Sequence, residues 1–173
     1  MSADRHYEQA QICTNGHVIT SLYGLRPEER RNFCPSCGAE TIIKCPDCGS
    51  LIIGAYCVRM HNYVRSRWNL SIHPLVSAPS YCANCGKPYP WTAKAIQAAL
   101  ELAEEIEGLT DNDREILKQN APNLFKDSPQ TEVAATRFRK VLDKSAKVVG
   151  EAFRAVLVNV ITEAAKKAVF PHG

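Results

Sequence analysis

Two Cys-Pro-x-Cys-Gly turns stand close together in FCPSCGAETIIKCPDCG, residues 33–49: Cys34/Cys37 and Cys45/Cys48. Paired thiols at this spacing are half of a tetrahedral metal site, which four protein ligands close. Two more half-sites lie outside this stretch, Cys13/His17 in CTNGH and Cys82/Cys85 in YCANCG. A glycine follows the second Cys of each CxxC turn (Gly38, Gly49, Gly86), and Gly16 stands between Cys13 and His17. Glycine lets the chain reverse tightly and aim both ligands at one centre. Four half-sites make two complete sites, and the chemistry they predict is structural binding of two Zn2+ ions. Iron is the other ion that a four-thiolate set accepts.

Which pairs share an ion depends on the chain between them. The segment AETIIK (39–44) has the β-branched, alternating character of a short strand. If it runs extended, eight steps from Cys37 to Cys45 separate the two turns by about 26 Å. One ion, with sulfurs about 2.3 Å away, cannot collect both. Sequential pairing follows: Cys13, His17, Cys34 and Cys37 in site one, and Cys45, Cys48, Cys82 and Cys85 in site two. A cross-braced module uses the same eight residues with a different topology. Cys57 is left over, with His61 four residues on. It reads as a small buried residue at a strand end, and otherwise as a spare half-site or a reactive thiol. His6, His73 and His172 have no partner that the sequence identifies.

All eight cysteines lie between Cys13 and Cys85, so the two halves of the 173-residue chain have different organisation. The expected domains are 1–90, carrying the metal sites, and 91–173, helical. The N-terminal MSADRHYEQA has no apolar core of the kind a secretion signal requires. The late apolar stretch AVLVNVIT (155–162) is far shorter than the roughly 20 residues of a membrane span. Both point to a cytoplasmic, reduced protein, in which clustered Cys means metal more often than disulfide. The formal charge of +3 singles out no partner. Seven ligand thiolates and two dications would bring it to about zero.

The combination of CTNGH, FCPSCG, CPDCG and YCANCGKPYPWT with a helical tail resembles a bacterial family of uncharacterised proteins with zinc-ribbon motifs. The resemblance covers nearly the whole chain, and YCANCGKPYPWT is its most particular element. It implies a double zinc ribbon followed by helices, and it brings no activity.

Between the halves of site two runs a long basic and aromatic loop, 55–80. Arg59, Arg65 and Arg67 interleave with Tyr56, Tyr63 and Trp68, and no Asp or Glu occurs from Cys48 to Leu100. Guanidinium groups contact phosphates and aromatic faces stack bases, so Arg59, Arg65, Arg67 and Trp68 are candidate nucleic-acid contacts. The competing reading is a β-hairpin that uses its aromatics for packing and its arginines for solvation.

The second half reads as helices. Thr92 is a candidate cap for a helix whose stripe is Ile96, Ala99, Leu100, Ala103 and Ile106, with Glu101, Glu104, Glu105 and Glu107 outside. Gly108 is placed to end it in a left-handed turn. Thr110 caps a shorter helix with Asp111 and Asp113 in its first turn, and Ala121-Pro122 is expected to end that one. Ser128-Pro129 opens the last helix, expected to run to about Val169, nearly 60 Å at 1.5 Å per residue. Phe138/Val149/Val160 and Leu142/Phe153/Ala164 recur at eleven residues, which keeps them on one face. Around 152–161 apolar residues surround the helix, so helix 131–169 is the expected contact with a protein partner or a second copy. Burial within the chain is the alternative.

The fold class expected is α+β, two small zinc ribbons of short antiparallel strands followed by an α-helical region with a long C-terminal helix. No catalytic triad, HExxH motif, phosphate-binding glycine loop or paired catalytic carboxylates appear. A thioredoxin-like role for Cys34 and Cys37 would need a βαβ setting that the sequence lacks. The chain therefore reads as a non-enzymatic zinc-binding adaptor, with nucleic-acid binding through loop 55–80 as the second reading.

Overall fold

The computed structural model describes residues 3–62, 67–105, 108–143, 161 and 163–169. The chain forms two compact units, Met1–Trp91 and Thr92–Gly173. The first contains two small antiparallel sheets, and among the described residues the second is helical.

One sheet has the order β3-β2-β4, from β2 (Gln11–Cys13), β3 (Val18–Thr20) and β4 (Thr41–Ile42). Its middle strand is buried throughout, which fixes Cys13. Gln11 ties in the following loop: its side-chain amide donates to the Arg31 carbonyl (2.7 Å) and to Thr41 Oγ1 (2.8 Å), and its amide oxygen accepts from the Arg31 N–H. The AETIIK segment supplies β4, a strand of two residues.

The other sheet, β1-β5-β6, consists of β1 (Ala3–Gln9), β5 (Ile53–Asn62) and β6 (Arg67–His73). The basic, aromatic loop is thus mostly a β-hairpin, β5 paired with β6 from Tyr56↔His73 to Asn62↔Arg67. Strand β1 adds on the far side of β5 in the register Tyr7↔Tyr56 and Asp4↔Arg59. Side chains alternate between faces along a strand. One face packs Cys57 and Ala55 against Leu22, with Ile72 beside them. The other carries a line of rings across all three strands. Tyr7 and Tyr56 have centroids 5.1 Å apart, and Tyr56 and His73 5.9 Å.

Gly54 lies where β5 is pressed by its neighbours. A Cβ there would sit 2.4 Å from the Ser21 carbonyl oxygen, 2.7 Å from Gln9 C and 2.8 Å from Ala10 N. All three are backbone atoms and cannot turn aside. Gly54→Ala is expected to destabilise the first unit by about 3 kcal/mol. Urea unfolding followed by Trp fluorescence measures this, because both tryptophans, Trp68 and Trp91, belong to that unit.

In the second unit α1 (Pro90–Glu105, from Thr92 onward), α2 (Asp111–Leu124), α3 (Pro129–Leu142) and α4 (Glu163–Val169) share one core. Ala99 and Ala103 of α1, Leu117 and Leu124 of α2, Phe138 and Leu142 of α3, and Ala165 and Val169 of α4 are buried in it. Thr110 caps α2 as expected, its hydroxyl accepting from the Asp113 N–H at 3.2 Å. Gly108 has φ +81, the left-handed turn expected after the first helix. Arg114 closes that end from outside by donating to the carbonyls of Ala103 and Glu104.

Three expectations need correction. Helix α1 begins at Pro90 rather than after Thr92, since proline suits a first helical position, where its missing N–H costs nothing. Helix α2 continues through Pro122 to Leu124. Pro122 forfeits only the bond to the Lys118 carbonyl, and the buried Leu124 and Phe125 hold the last turn in the core. The third concerns the single long helix over 129–169. Its described ends are two helices, α3 and α4, that pack against each other, which the two ends of one straight rod cannot do. Ile161, Ala165 and Val169 are buried in the unit's own core. Val149, Phe153, Val156 and Val160 lie outside the described residues.

Candidate metal centres

The three CxxC turns are built alike. The carbonyl of the first Cys accepts from the glycine N–H four residues on, Cys34 from Gly38 at 2.8 Å, and Cys45 from Gly49 and Cys82 from Gly86 at 2.9 Å. Its own N–H donates one residue further, to the carbonyls of Ala39, Ser50 and Lys87. The glycines have φ of 69, 72 and 71°, where a Cβ is strained. The fourth half-site is tighter: Gly16 donates to the Cys13 carbonyl at 2.8 Å, and Cys13 to the His17 carbonyl at 3.0 Å.

These turns bring eight side chains into two groups. Cys13, His17, Cys34 and Cys37 form one; Cys45, Cys48, Cys82 and Cys85 form the other, with all ligand atoms of a group within 4.8 Å of one another. This is the sequential arrangement, not the cross-braced one. A tetrahedron with metal–sulfur bonds of about 2.3 Å has sulfur–sulfur edges of about 3.8 Å, and edges of about 3.6 Å from sulfur to an imidazole nitrogen. The observed edges match. Cys13–Cys37 and Cys45–Cys85 are 3.8 Å between sulfurs, Cys48–Cys82 is 3.7 Å, and His17 Nδ1 is 3.4 Å from Cys13 Sγ and 3.5 Å from Cys34 Sγ. These separations are far beyond the roughly 2 Å of a disulfide, and all eight cysteines are free thiols. The donor set fits zinc at both positions, and the imidazole in site one suits zinc better than an iron–sulfur centre.

Around each group stand donors that stabilise thiolate. Ser50 Oγ lies 3.1 Å from Cys48 Sγ and 3.3 Å from Cys82 Sγ, and Asn84 Nδ2 reaches Cys48 Sγ at 3.6 Å. In site one Asn15 Nδ2 reaches Cys37 Sγ at 3.5 Å, and the His17 N–H reaches Cys13 Sγ at 3.2 Å. The Ser50 hydroxyl, aided by the N–H groups of Cys85 and Asn84, draws the Cys82 thiol down to about 5. Burial opposes ionisation of Cys34, but the N–H groups of Ser36 and Cys37 outweigh it and bring that thiol to about 6. Cys13 goes up through burial. Ligation needs thiolates, so metal uptake releases protons and weakens as the pH falls. Removing the Ser50 hydroxyl should lower metal affinity at site two alone, by about 10–100-fold. Competition of the Ser50→Ala protein against a chromogenic chelator is expected to show one weakened and one unchanged site.

Site two is continuous with the core of its unit. Cys45 and Cys82 are buried beside Ala10, Ile12, Ile52, Tyr89 and Trp91. Tyr89 and Trp91 stack at 4.7 Å, the Trp91 indole N–H donates to the Pro79 carbonyl at 2.8 Å, and a Cβ at Gly16 would lie 3.1 Å from Trp91 Cβ. The KPYPW segment thereby spans from one ligand group to the turn of the other. Lys87 pairs with Asp47 at 2.8 Å across the two turns of site two.

Cys57 joins neither group. It is 0% exposed, and burial, with Glu8 adding to it, pushes its thiol up, which suits packing and not reactivity. His6 contacts Glu8, its same-face neighbour two residues on, at 3.1 Å, and His73 lies against Tyr56, a partner distant in sequence.

Of the four candidate nucleic-acid contacts, Arg59 is the one whose side chain is described. Arg59 is exposed, but it stands directly opposite Asp4 of β1 and belongs to the face of Cys57, not that of Tyr56. Arg67 and Trp68 pair in register with Asn62 and His61, and Arg65 lies outside the described residues. The acid-free run from Cys48 to Leu100 is real, but β1 brings carboxylates back beside it.

An α+β chain whose first unit gathers two four-ligand groups on ribbon turns, one of three cysteines and a histidine and one of four cysteines, is a double-ribbon protein by architecture. The family described as "Uncharacterized protein conserved in bacteria (DUF2321)" matches residues 6–169, and the chain belongs to it. No curated protein and no solved structure matches the chain.

Proposed function

We propose that this is a non-catalytic interaction protein whose N-terminal unit is held in shape by two structural zinc ions, one on Cys13, His17, Cys34 and Cys37, the other on Cys45, Cys48, Cys82 and Cys85. The observation that carries this reading is the closure of both groups, four protein ligand atoms within 4.8 Å in each. Four protein ligands leave no coordination position for a substrate or an activated water. The zinc would supply cross-links that a unit of about 90 residues with short strands otherwise lacks.

The interaction surface belongs on the same unit. Tyr7, Leu25, Phe33, Leu51, Ile53, Met60, Leu70 and Val76 are exposed there, whereas Val133 alone of the described large apolar side chains is exposed in the helical unit. A cleft of about 430 Å³ opens beside site two among Leu51, Ile53, Leu75, Pro79 and Tyr81. Docking through helix 131–169, by contrast, would use a segment whose described apolar residues, Val133 apart, pack in the core of unit two. Among the described residues no helix is long and apolar enough to cross a membrane.

Cobalt substitution separates a structural from a catalytic site. Closed centres of these two ligand sets are expected to give tetrahedral visible bands that added cyanide or imidazole leaves unchanged. A spectrum that shifts on adding either ligand would show an open position and overturn the non-catalytic reading.

A further inference from the structure

We propose that the open face of the β1-β5-β6 sheet binds single-stranded nucleic acid, with the row Tyr7, Tyr56 and His73 stacking unpaired bases and Arg5 contacting the phosphate chain. This rests on the reading of the first unit as the metal-held interaction unit and names its partner class.

Register makes the row. Tyr7 pairs with Tyr56, and Tyr56 with His73, so three rings stand side by side across the sheet, 5.1 and 5.9 Å apart at 44° and 33°. The edge ring, Tyr7, is 65% exposed, and Met60 on the same face is 51% exposed. On the reverse face Leu22 covers Cys57 and Ala55, while Arg59 and Leu70 farther along are exposed. The row of rings lies on the other side and offers π-surface to solvent.

Charge sorts the same way. Strand β1 reads Ala-Asp-Arg-His-Tyr-Glu-Gln, so alternation sets Arg5 beside Tyr7 and sends Asp4 and Glu8 to the reverse side. The placement of Glu8 is independently visible, since it touches His6 and its carboxylate would lie 2.8 Å from a Cβ at Gly24. Strands β5 and β6 contain no carboxylate. The face presents aromatic rings and a guanidinium with no acidic residue from its three strands, which suits a polyanion better than an acidic or neutral protein surface. Rings at this spacing stack bases only where the bases are unstacked from each other, which selects single strands over duplex. Of the four residues read from the sequence, Arg59 stands on the Cys57 side of β5 and so outside this row, which Tyr7 and Arg5 join from β1.

The test uses the full metal-bearing chain and fluorescein-labelled dT12, with a 12-base-pair duplex for comparison, by anisotropy at 50 mM salt. The expected result is binding of dT12 with the duplex at least about tenfold weaker, a loss of about tenfold or more on Tyr7→Ala, retention on Tyr7→Phe, and a comparable loss on Arg5→Glu. No binding of dT12, equal binding of the duplex, or full binding by Tyr7→Ala and Arg5→Glu would overturn the proposal. Self-association that Tyr7→Ala abolishes, without dT12 binding, would assign the face to a second copy and overturn it as well. Metal content measured on the same samples keeps the two readings apart. Metal with no dT12 binding removes only the platform, and Tyr7-dependent dT12 binding by a metal-free chain removes only the zinc.

Discussion

Cys82→Ser is expected to empty site two and unfold the first unit while leaving the second folded. Cys82 is a ligand, a buried member of the core with Ile12, Ile52 and Trp91, and the thiol that Ser50 draws down to about 5. Structural zinc contributes on the order of 10–16 kcal/mol to small ribbon and finger units at neutral pH. That is as large as the whole stability of an ordinary domain, so loss of one ion exceeds what the short strands retain. Two signals should part company in the variant. Trp fluorescence should red-shift, because both tryptophans belong to the first unit. Most of the helical circular dichroism should persist and melt cooperatively, because α2, α3 and α4 belong to the second. A variant that keeps the parental fluorescence and thermal transition would show that site two does not hold the fold.

The second large effect lies in the other unit. Phe138 is fully buried in the core shared by α1, α2, α3 and α4. Truncation to Ala removes a ring from the centre of a small helical unit and costs about 3–5 kcal/mol. For a unit of this size each 1 kcal/mol lowers the melting temperature by about 4–8 °C. Phe138→Ala should therefore lose its helical signal at least about 12 °C below the parent, with no change in the two metal affinities. An unaltered melting curve would mean that the core is not assembled around this ring.

The ligand groups were legible because their signal is local. A CxxCG turn carries its own geometry, and the distance argument across AETIIK needs only the rise of a strand to assign Cys37 and Cys45 to different groups. The caps at Thr110 and Ser128 and the left-handed Gly108 are local in the same sense. What could not be read depends on partners far away in sequence. Strand β1 is mostly polar and charged, with no apolar alternation; it becomes a strand because β5 offers an edge and Tyr56 a ring for Tyr7. The acid-free run of the hairpin gave no sign that β1 sets Asp4 opposite Arg59, because that pairing comes from another part of the chain. Eleven-residue recurrence cannot distinguish one long helix from two shorter ones, and the described ends, α3 and α4, pack against each other with Phe138, Leu142, Ala165 and Val169 in the core. Pro122 shows a weak local stop overridden by the burial of Leu124 and Phe125. Ser50, Asn15 and Asn84 had a faint signal, as polar residues within or just after ligand turns, but only the folded geometry aims them at sulfur.

Elemental analysis of the purified protein, before and after exhaustive chelation, decides whether zinc holds the first unit together. Two zinc ions per chain are expected, lost together with the native fluorescence of Trp68 and Trp91, and both should return on adding zinc back. A chain that carries no metal as purified, and whose fluorescence and melting are unchanged by the chelator, would contradict that expectation.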